Sequence, residues 1–424
     1  MEENKTHIPA GWLLTSFGDK KLFRIIGSGI DFFDGEKEYY STSSIEGNKV
    51  LFAEQLITYK KRPSRANMQP IVDSVWFAKM KNTFKVLKSQ KKEVSEVILS
   101  TGFCGIESKF VDCDYLMQII SSESFESQKN LLAEGSTQVA VNNTKIKGIT
   151  FLLPENKSEQ KQIATILSKV DEAINQTEVL IAKYTRIKTG LMQDLLTKGI
   201  DEHGNIRSEE THEFKDSPLG RIPKEWEVEK LGNLALAIDP QPDHRTPEAV
   251  IDGIPYIGIS DINENGEINL KSCRKVGLNV LEKQQSSFNI ELGDLIFGKI
   301  GTIGNPVVLP SFLKFNYTLS ANIILIKPHN NSSFIYWSLI SKYVKEQVEL
   351  AIHSTSQPAF GMKKIRELDI LTPSTVEQVR ITSKLNKLNN KIITEQSQLL
   401  KYQSLKTGLM QDLLSGTVRV NHLI

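Results

Sequence analysis

The nonapeptide KTGLMQDLL occurs twice, at Lys188–Leu196 and Lys406–Leu414, and nothing else in the chain restricts its folding as much. The offset is 218 residues, about half of a chain of 424. Identity over nine positions does not recur by chance, and the match continues upstream. Glu159-Gln160 answers Glu377-Gln378, Ile163 answers Ile381, Leu167 answers Leu385, and Lys183-Tyr184 answers Lys401-Tyr402. Farther back, at an offset of 219, Ser136-Thr137-Gln138 stands against Thr355-Ser356-Gln357, Ala140 against Ala359, Lys145-Ile146-Lys147 against Lys364-Ile365-Arg366, and Pro154 against Pro373. Each copy opens on Ile-Pro-x-x-Trp, ending at Trp12 and at Trp226. Self-similarity at a fixed long period means one module repeated in tandem. Each module is a globular body followed by a terminal segment; the bodies have diverged and the segments have not.

The segments read as helices. Ile163, Leu167, Val170, Ile174, Ile181, Tyr184, Leu191 and Leu195 fall at alternating three- and four-residue spacings, and Ile381, Leu385, Leu388, Ile392, Leu399, Tyr402, Leu409 and Leu413 repeat the pattern. The stripe fits either a mutual coiled-coil seam or two amphipathic helices packed on separate cores; the matched lengths favour the seam. A polar residue interrupts each stripe at the same repeat position, Thr177 in one and Glu395 in the other. An antiparallel pair predicts that these two approach each other as a register-setting polar layer. About 33 residues at roughly 1.5 Å each give a rod of about 50 Å, with a body at either end. Boundaries follow: a first body over 1–153, a helix over 154–200, a linker over 201–218, a second body over 219–372 and a second helix over 373–424. The linker is polar, with six acidic residues against Lys198, Arg207 and Lys215 in the stretch Thr197–Pro218.

Composition excludes several classes. With 39% hydrophobic and 24% charged residues and a mean hydropathy of -0.25, the chain is neither fibrous nor largely disordered. Its longest apolar runs, such as Ile323–Ile326, fall far short of the roughly 20 residues of a membrane helix, so a soluble, cytoplasmic protein is expected. Cys104, Cys113 and Cys273 are too scattered for a metal pair or a disulfide framework. The seven histidines show no ligand spacing. GDLIFGKI (Gly293–Ile300) imitates a phosphate-binding loop, but Ile300 stands where a magnesium-binding hydroxyl is needed and Leu-Ile-Phe reads as strand. Asp239-Pro240-Gln241-Pro242 lacks the arrangement of an amino-methyltransferase motif. No nucleophile, metal cluster or carboxylate pair emerges.

Net charge is only +2, yet basicity is concentrated: Gln55–Lys92 holds ten lysines and arginines against Asp73 alone. Such a window suits a polyanion, although a merely solvated basic face also fits Lys79–Lys92. Within it KKRPSRANM is the sharper candidate. Pro63 stiffens a turn, Lys60, Lys61 and Ser64 suit phosphates, Arg62 and Arg65 can pair bidentately with guanine or phosphate, and Asn67 can read adenine. In the second body, GIPYIGISDINENGEI and GDLIFGKIGTIG read as strands and hairpins, with Lys299 and Thr302 emerging at a glycine-rich bend. The loops carrying Thr137 and Gln138 and carrying Ser356 and Gln357 occupy equivalent places and make paired candidates for base or phosphate contact, and Arg245 and Lys363 complete the set.

The doubled KTGLMQDLL, the Pro-x-x-Trp module starts, PYIGISDI, GDLIFGKIGTIG and TSQPAFGMKKIRELDILTP together resemble the specificity subunit of type I restriction-modification systems, over essentially the whole chain. The resemblance implies an α/β (α+β) fold: two target-recognition domains with twisted sheets, joined by two long helices that form an antiparallel coiled coil in a pseudo-two-fold tandem repeat. It implies a non-catalytic chain that reads a bipartite site on double-stranded DNA. The implied partners are two adenine-methylating modification subunits, which bind S-adenosylmethionine, and two restriction subunits driven by ATP and Mg; no cofactor is expected in this chain, and no membrane association. Lys299 and Thr302 match the family's glycine-framed strand, and Gln138 and Gln357 the loop before the closing Lys-Ile pair. The first body has YYSTSSIEG and STGFCGI where a PYI-type segment would stand. Two alternatives remain open at the level of sequence: a single-chain nuclease or methyltransferase with fused recognition domains, which would bind cofactor by itself, and a coiled-coil interaction protein, which would not need Lys60, Arg62 and Arg65.

Overall fold

The computed structural model describes residues 8–134, 139–241, 245–263, 268–271, 273–309, 316–353 and 359–420. They form two compact units, one of Met1–Glu178 with Gln398–Ile424 and one of Val179–Ser397.

In the first unit β1 (Trp12–Ser16) pairs antiparallel with β10 (Thr150–Pro154), so the body is entered and left along one two-stranded ladder. Between them lie two four-stranded sheets. One has the order β2 (Arg24–Ile26), β9 (Phe103–Glu107), β6 (Ser74–Ala78), β7 (Val86–Ser89), all antiparallel. The other has the order β4 (Gln55–Ile57), β3 (Lys37–Tyr40), β8 (Val97–Ser100), β5 (Ala66–Met68), with β3 and β8 parallel. Helices α1 (Cys113–Ile120) and α2 (Glu123–Leu132) follow, each started by a side chain that accepts from its first turn, Asp112 from the Tyr115 amide and Ser122 from the Phe125 amide. All five residues of β6 are buried, and Trp76 leaves no room for a side chain opposite it: a Cβ on Gly105 would stand 2.6 Å from its ring.

The second unit repeats this plan. β11 (Glu227–Lys230) pairs with β19 (Asp369–Thr372) at the entrance and exit. The antiparallel sheet has the order β12 (Ala235–Ile238), β18 (Ile323–Pro328), β15 (Leu295–Gly298), β16 (Gly304–Val308). The second sheet has the order β14 (Arg274–Val276), β13 (Ala249–Ile257), β17 (Thr318–Leu319), with β13 and β17 again parallel. Helices α4 (Ser332–Leu339) and α5 (Lys342–His353) close it. The strand expected in Leu-Ile-Phe is β15. The two bodies therefore share the antiparallel sheet strand for strand and the parallel pair of the second sheet, while β5 of the first body has no counterpart among the described strands of the second.

The long helices are α3 (Lys157–Leu195) and α6 (Thr375–Leu414), of 39 and 40 residues. Glycines with left-handed backbone follow their C-termini, Gly199 at φ 65° and Gly416 at φ 70°. Each helix's end is rooted in a body core. Ile163 and Leu167 join Trp12, Phe77, Tyr115, Phe125 and Leu413 in the first unit, and Leu195 joins Trp226, Phe297, Trp337, Ile381 and Leu385 in the second. Burial of each such side chain stabilises by about 1.5–3 kcal/mol. Every predicted seam residue, including Val170, Ile174, Ile181, Leu388, Leu399 and Tyr402, is buried or half-buried.

Within each unit the helices run antiparallel. In the first, Asp171 pairs with Lys406 while Glu159, nearer the start of α3, holds Arg419 beyond the end of α6. In the second, the Lys391 ammonium lies 4.5 Å from the centre of the Tyr184 ring, and Lys188 donates to Asn389 at 3.2 Å. Counting along the helices from these contacts sets Thr177 level with Leu399 and Leu400 in the first unit, and Glu395 level with Ile181 in the second. Thr177, expected to meet Glu395, belongs to the first unit, and Glu395 belongs to the second. Thr177 is buried because its hydroxyl donates to the Ala173 carbonyl of its own helix at 2.7 Å.

Residues 201–218, expected as a linker, carry structure of their own. Leu196 and Ile200 are buried, and Phe214–Ser217 pairs with Gly220–Pro223. The Glu377 carboxylate accepts from the Ile200 amide at 2.9 Å, the Trp226 indole at 3.1 Å and both guanidinium nitrogens of Arg207. A Cβ at Gly199 would fall 2.2 Å from that carboxylate, so glycine is required for this closeness as well as for its backbone angle.

Candidate nucleic-acid interface

In the first body the basic cluster spans the connection from β4 to β5. Its backbone is knitted to its surroundings: the Ala66 amide donates to the Pro63 carbonyl at 2.9 Å, and the Arg65 carbonyl accepts from Asn67 at 2.9 Å and Thr101 at 2.8 Å. Lys60, Lys61, Ser64 and Arg65 are exposed. Arg62 is half-buried; its guanidinium lies 4.5 Å from the Tyr59 ring centre and donates to the Tyr59 carbonyl, so it stiffens the loop more than it extends from it. Asn67 is half-buried in β5, with its carbonyl accepting from Gly29 at 2.8 Å.

A second basic element is the β6–β7 hairpin, Lys79–Lys85, which offers Lys81 and Phe84 to solvent. It is clamped from behind by α2. Lys129, whose side chain is 2% exposed, donates to the carbonyls of Ala78 at 3.3 Å and Thr83 at 2.7 Å and pairs with Glu126 at 2.7 Å. Asn130 accepts from the amide of Asn82, which has a left-handed φ of 53°. Burial draws the Lys129 ammonium below its ordinary pKa, and Glu126 opposes that shift.

The matching hairpin of the second body joins β15 to β16. A Cβ on Gly298 would lie 1.8 Å from the Thr302 carbonyl oxygen, so this turn closes only around glycine. Thr302 is exposed, as are Arg245 and Lys363, the last paired with Glu367 at 3.9 Å. Lys299 does not emerge as expected: it is 6% exposed and pairs with Asp239 at 2.6 Å. Its ammonium is committed inside the body, and it holds the β12–β13 connection against the turn.

Topology reveals a counterpart that sequence reading missed. Lys299 donates its amide to Asn322, accepts from Phe360, and is followed by Ile300, which bridges to Ala359. Lys79 donates to Gly102, accepts from Val141, and is followed by Met80, which bridges to Ala140. Lys79 is therefore the first body's Lys299. The Ala140–Ala359 correspondence was visible in sequence and could have led to it. Thr137, Gln138, Ser356 and Gln357 lie outside the described residues, but Ala140 and Ala359 set the chain that follows them beside the two hairpins.

The thiols show no activation. Burial pushes Cys104 and Cys113 up to about 12 and Cys273 to about 11. Among the described residues no helix is long and apolar enough to cross a membrane.

Two bodies of one plan, each presenting an exposed hairpin and polar loops, with a strongly basic stretch in the first, define the class: a duplicated nucleic-acid recognition chain. The chain belongs to the family of the type I restriction modification DNA specificity domain, whose pattern matches residues 24–182 and again 223–402. It is similar to the type I restriction enzyme MjaVIII specificity subunit of Methanocaldococcus jannaschii, 26% identical over 339 residues that cover 77% of this chain and 75% of that one. The crystal structure of a type I restriction-modification S subunit from M. genitalium shares the fold, with a TM-score of 0.60 at 16% identity over 98% of both chains. A chain solved in work on complex assembly and conformational transition of the type I R-M system gives 0.56 at 17%, over 97% of this chain and 100% of that one.

Proposed function

We propose that this chain is the sequence-reading subunit of a type I restriction-modification complex, itself without catalytic activity, and that each body reads one tract of a split site on double-stranded DNA. Two adenine-methylating subunits dock on the repeated helices, and two ATP-driven restriction subunits complete the assembly in the cytoplasm. S-adenosylmethionine, ATP and Mg belong to those partners. Lys60, Lys61, Arg65, Thr137, Gln138, Arg245, Thr302, Ser356, Gln357 and Lys363 supply contacts to the duplex.

One observation carries this reading. Among the residues kept identical between the copies, three at one spacing face solvent in both: Thr189, Gly190 and Gln193 in α3, and Thr407, Gly408 and Gln411 in α6, are exposed. A Cβ built on Gly190 or Gly408 meets nothing within 4 Å, so packing within the chain does not require glycine. Glycine inside a helix costs about 1 kcal/mol relative to alanine, yet both copies keep it. Equal surfaces retained while the bodies diverge fit one partner species docking twice on a chain whose two readers address different bases.

Sequencing of methylated adenines in the host, with and without this chain, tests the proposal. A split motif that disappears with the chain is the expected result, and an unchanged methylation pattern overturns it. Binding of S-adenosylmethionine by the purified chain alone would instead favour a single-chain methyltransferase.

A further inference from the structure

Phe32 is exposed at 66%, but it is not a loose side chain. Its ring stands edge-on to Tyr59, with centroids 5.2 Å apart. Tyr59 is braced from a second side by Phe33 at 5.9 Å, and the Arg62 guanidinium lies over it at 4.5 Å. Phe33 in turn carries the Lys37 ammonium at 5.1 Å and packs against the buried cluster of Tyr39, Ile57, Ala66 and Ile98. A chain of aromatic and cation contacts thus runs from the core to Phe32 and holds the outermost ring rigid. The loop that supplies Tyr59 and Arg62 also carries the exposed cations Lys60, Lys61 and Arg65.

We propose that Phe32 is a wedge that enters a base step of the DNA tract read by the first body, unstacking it while Lys60, Lys61 and Arg65 hold the flanking phosphates. The inference rests on the proposed DNA-reading function. An exposed apolar ring is unfavourable in water, and its fixed posture removes the entropic penalty of ordering it on binding. Rigid apolar side chains beside lysine and arginine are the means by which proteins part and kink base steps. Charge decides between duplex and protein as the occupant, because the loop that braces the ring through Tyr59 carries Lys60, Lys61 and Arg65, all exposed. Asp31 and Asp34 flank Phe32 in its own loop and are exposed. Carboxylates repel phosphates and accept from base amino groups, which sets the ring against base edges rather than the backbone.

The full chain, assembled with its modification partners, is bound to a duplex carrying the host's methylated motif, with 2-aminopurine placed in turn at each base step. Phe32→Ala is expected to weaken binding about tenfold or more, from the stacking a base gains on an aromatic ring, and to abolish a fluorescence rise at one step. The dependence of affinity on salt should keep its slope, because no phosphate contact is lost, whereas replacement of Lys60, Lys61 and Arg65 by alanine should flatten it. Phe32→Trp should restore both affinity and fluorescence. An unchanged melting profile for Phe32→Ala separates these effects from misfolding. Equal affinity and fluorescence in Phe32→Ala and the parent overturn the wedge while leaving DNA reading intact. Loss of partner assembly with intact DNA binding assigns the ring to a protein interface and also overturns it. Failure of the parent to prefer any duplex overturns both proposals.

Discussion

Glu377→Gln isolates the bond network that fastens the connector to the second unit. The substitution keeps the side-chain volume and removes the charge. Glu377 and Arg207 are 9% and 11% exposed, and the carboxylate accepts from the Arg207 guanidinium, the Trp226 indole and the Ile200 amide together. A glutamine oxygen can serve only part of that set, and its amino group is turned toward donors. Loss of one partner from a buried ion pair costs about 3–5 kcal/mol, since the other charge stays desolvated and unpaired. A loss of 3 kcal/mol corresponds to opening about a hundredfold more often. Hydrogen exchange of the amides over residues 196–226 reads that opening directly, and it should accelerate by about two orders of magnitude while amides of β1 and β10 keep their rates. Arg207→Met should give a similar acceleration, and the double variant should fall well short of the sum. Acceleration below about threefold, or equal acceleration in both units, would refute the reasoning.

Lys129→Met should loosen the Lys79–Lys85 hairpin by about 3–5 kcal/mol, because Glu126 and two carbonyls lose a buried donor; exchange over residues 76–88 measures it, and adding Glu126→Gln should recover part of the loss. Gly298→Ala should lower the thermal midpoint of the second unit far more than Gly301→Ala does. The first drives a methyl into the Thr302 carbonyl, while the second meets only open space and the strain of its φ of 79°. Alkylation of folded protein at pH 8, followed by mass spectrometry, should label Cys104, Cys113 and Cys273 much more slowly than free cysteine. Raised thiol pKa values leave little thiolate at that pH, and the rate should climb as pH rises toward 11.

The duplication, the long helices and the strand in Leu-Ile-Phe were legible in the sequence, because identity and periodicity are local properties. The register of the helices was not. Within a unit it is set by contacts such as Asp171 with Lys406, which no single stripe encodes. Lys299 read as a surface residue because its partner, Asp239, lies 60 positions earlier. Lys79 was invisible as its counterpart since KMKNTFK and KIGTI share only a first lysine, and only the hydrogen bonds of the neighbouring strands align them. Phe32 differs from a core phenylalanine only in what surrounds it, which composition does not reveal.

In each body the first strand lies beside the last, β1 with β10 and β11 with β19, so the chain crosses into and out of a reader through adjacent doors. Everything between those doors can be exchanged without rethreading the helices or touching the repeated Thr-Gly-x-x-Gln faces. Under the proposed function, heritable change in what is read is thereby uncoupled from the docking faces: a lineage acquires a new address by replacing one cassette while those faces stay as they are.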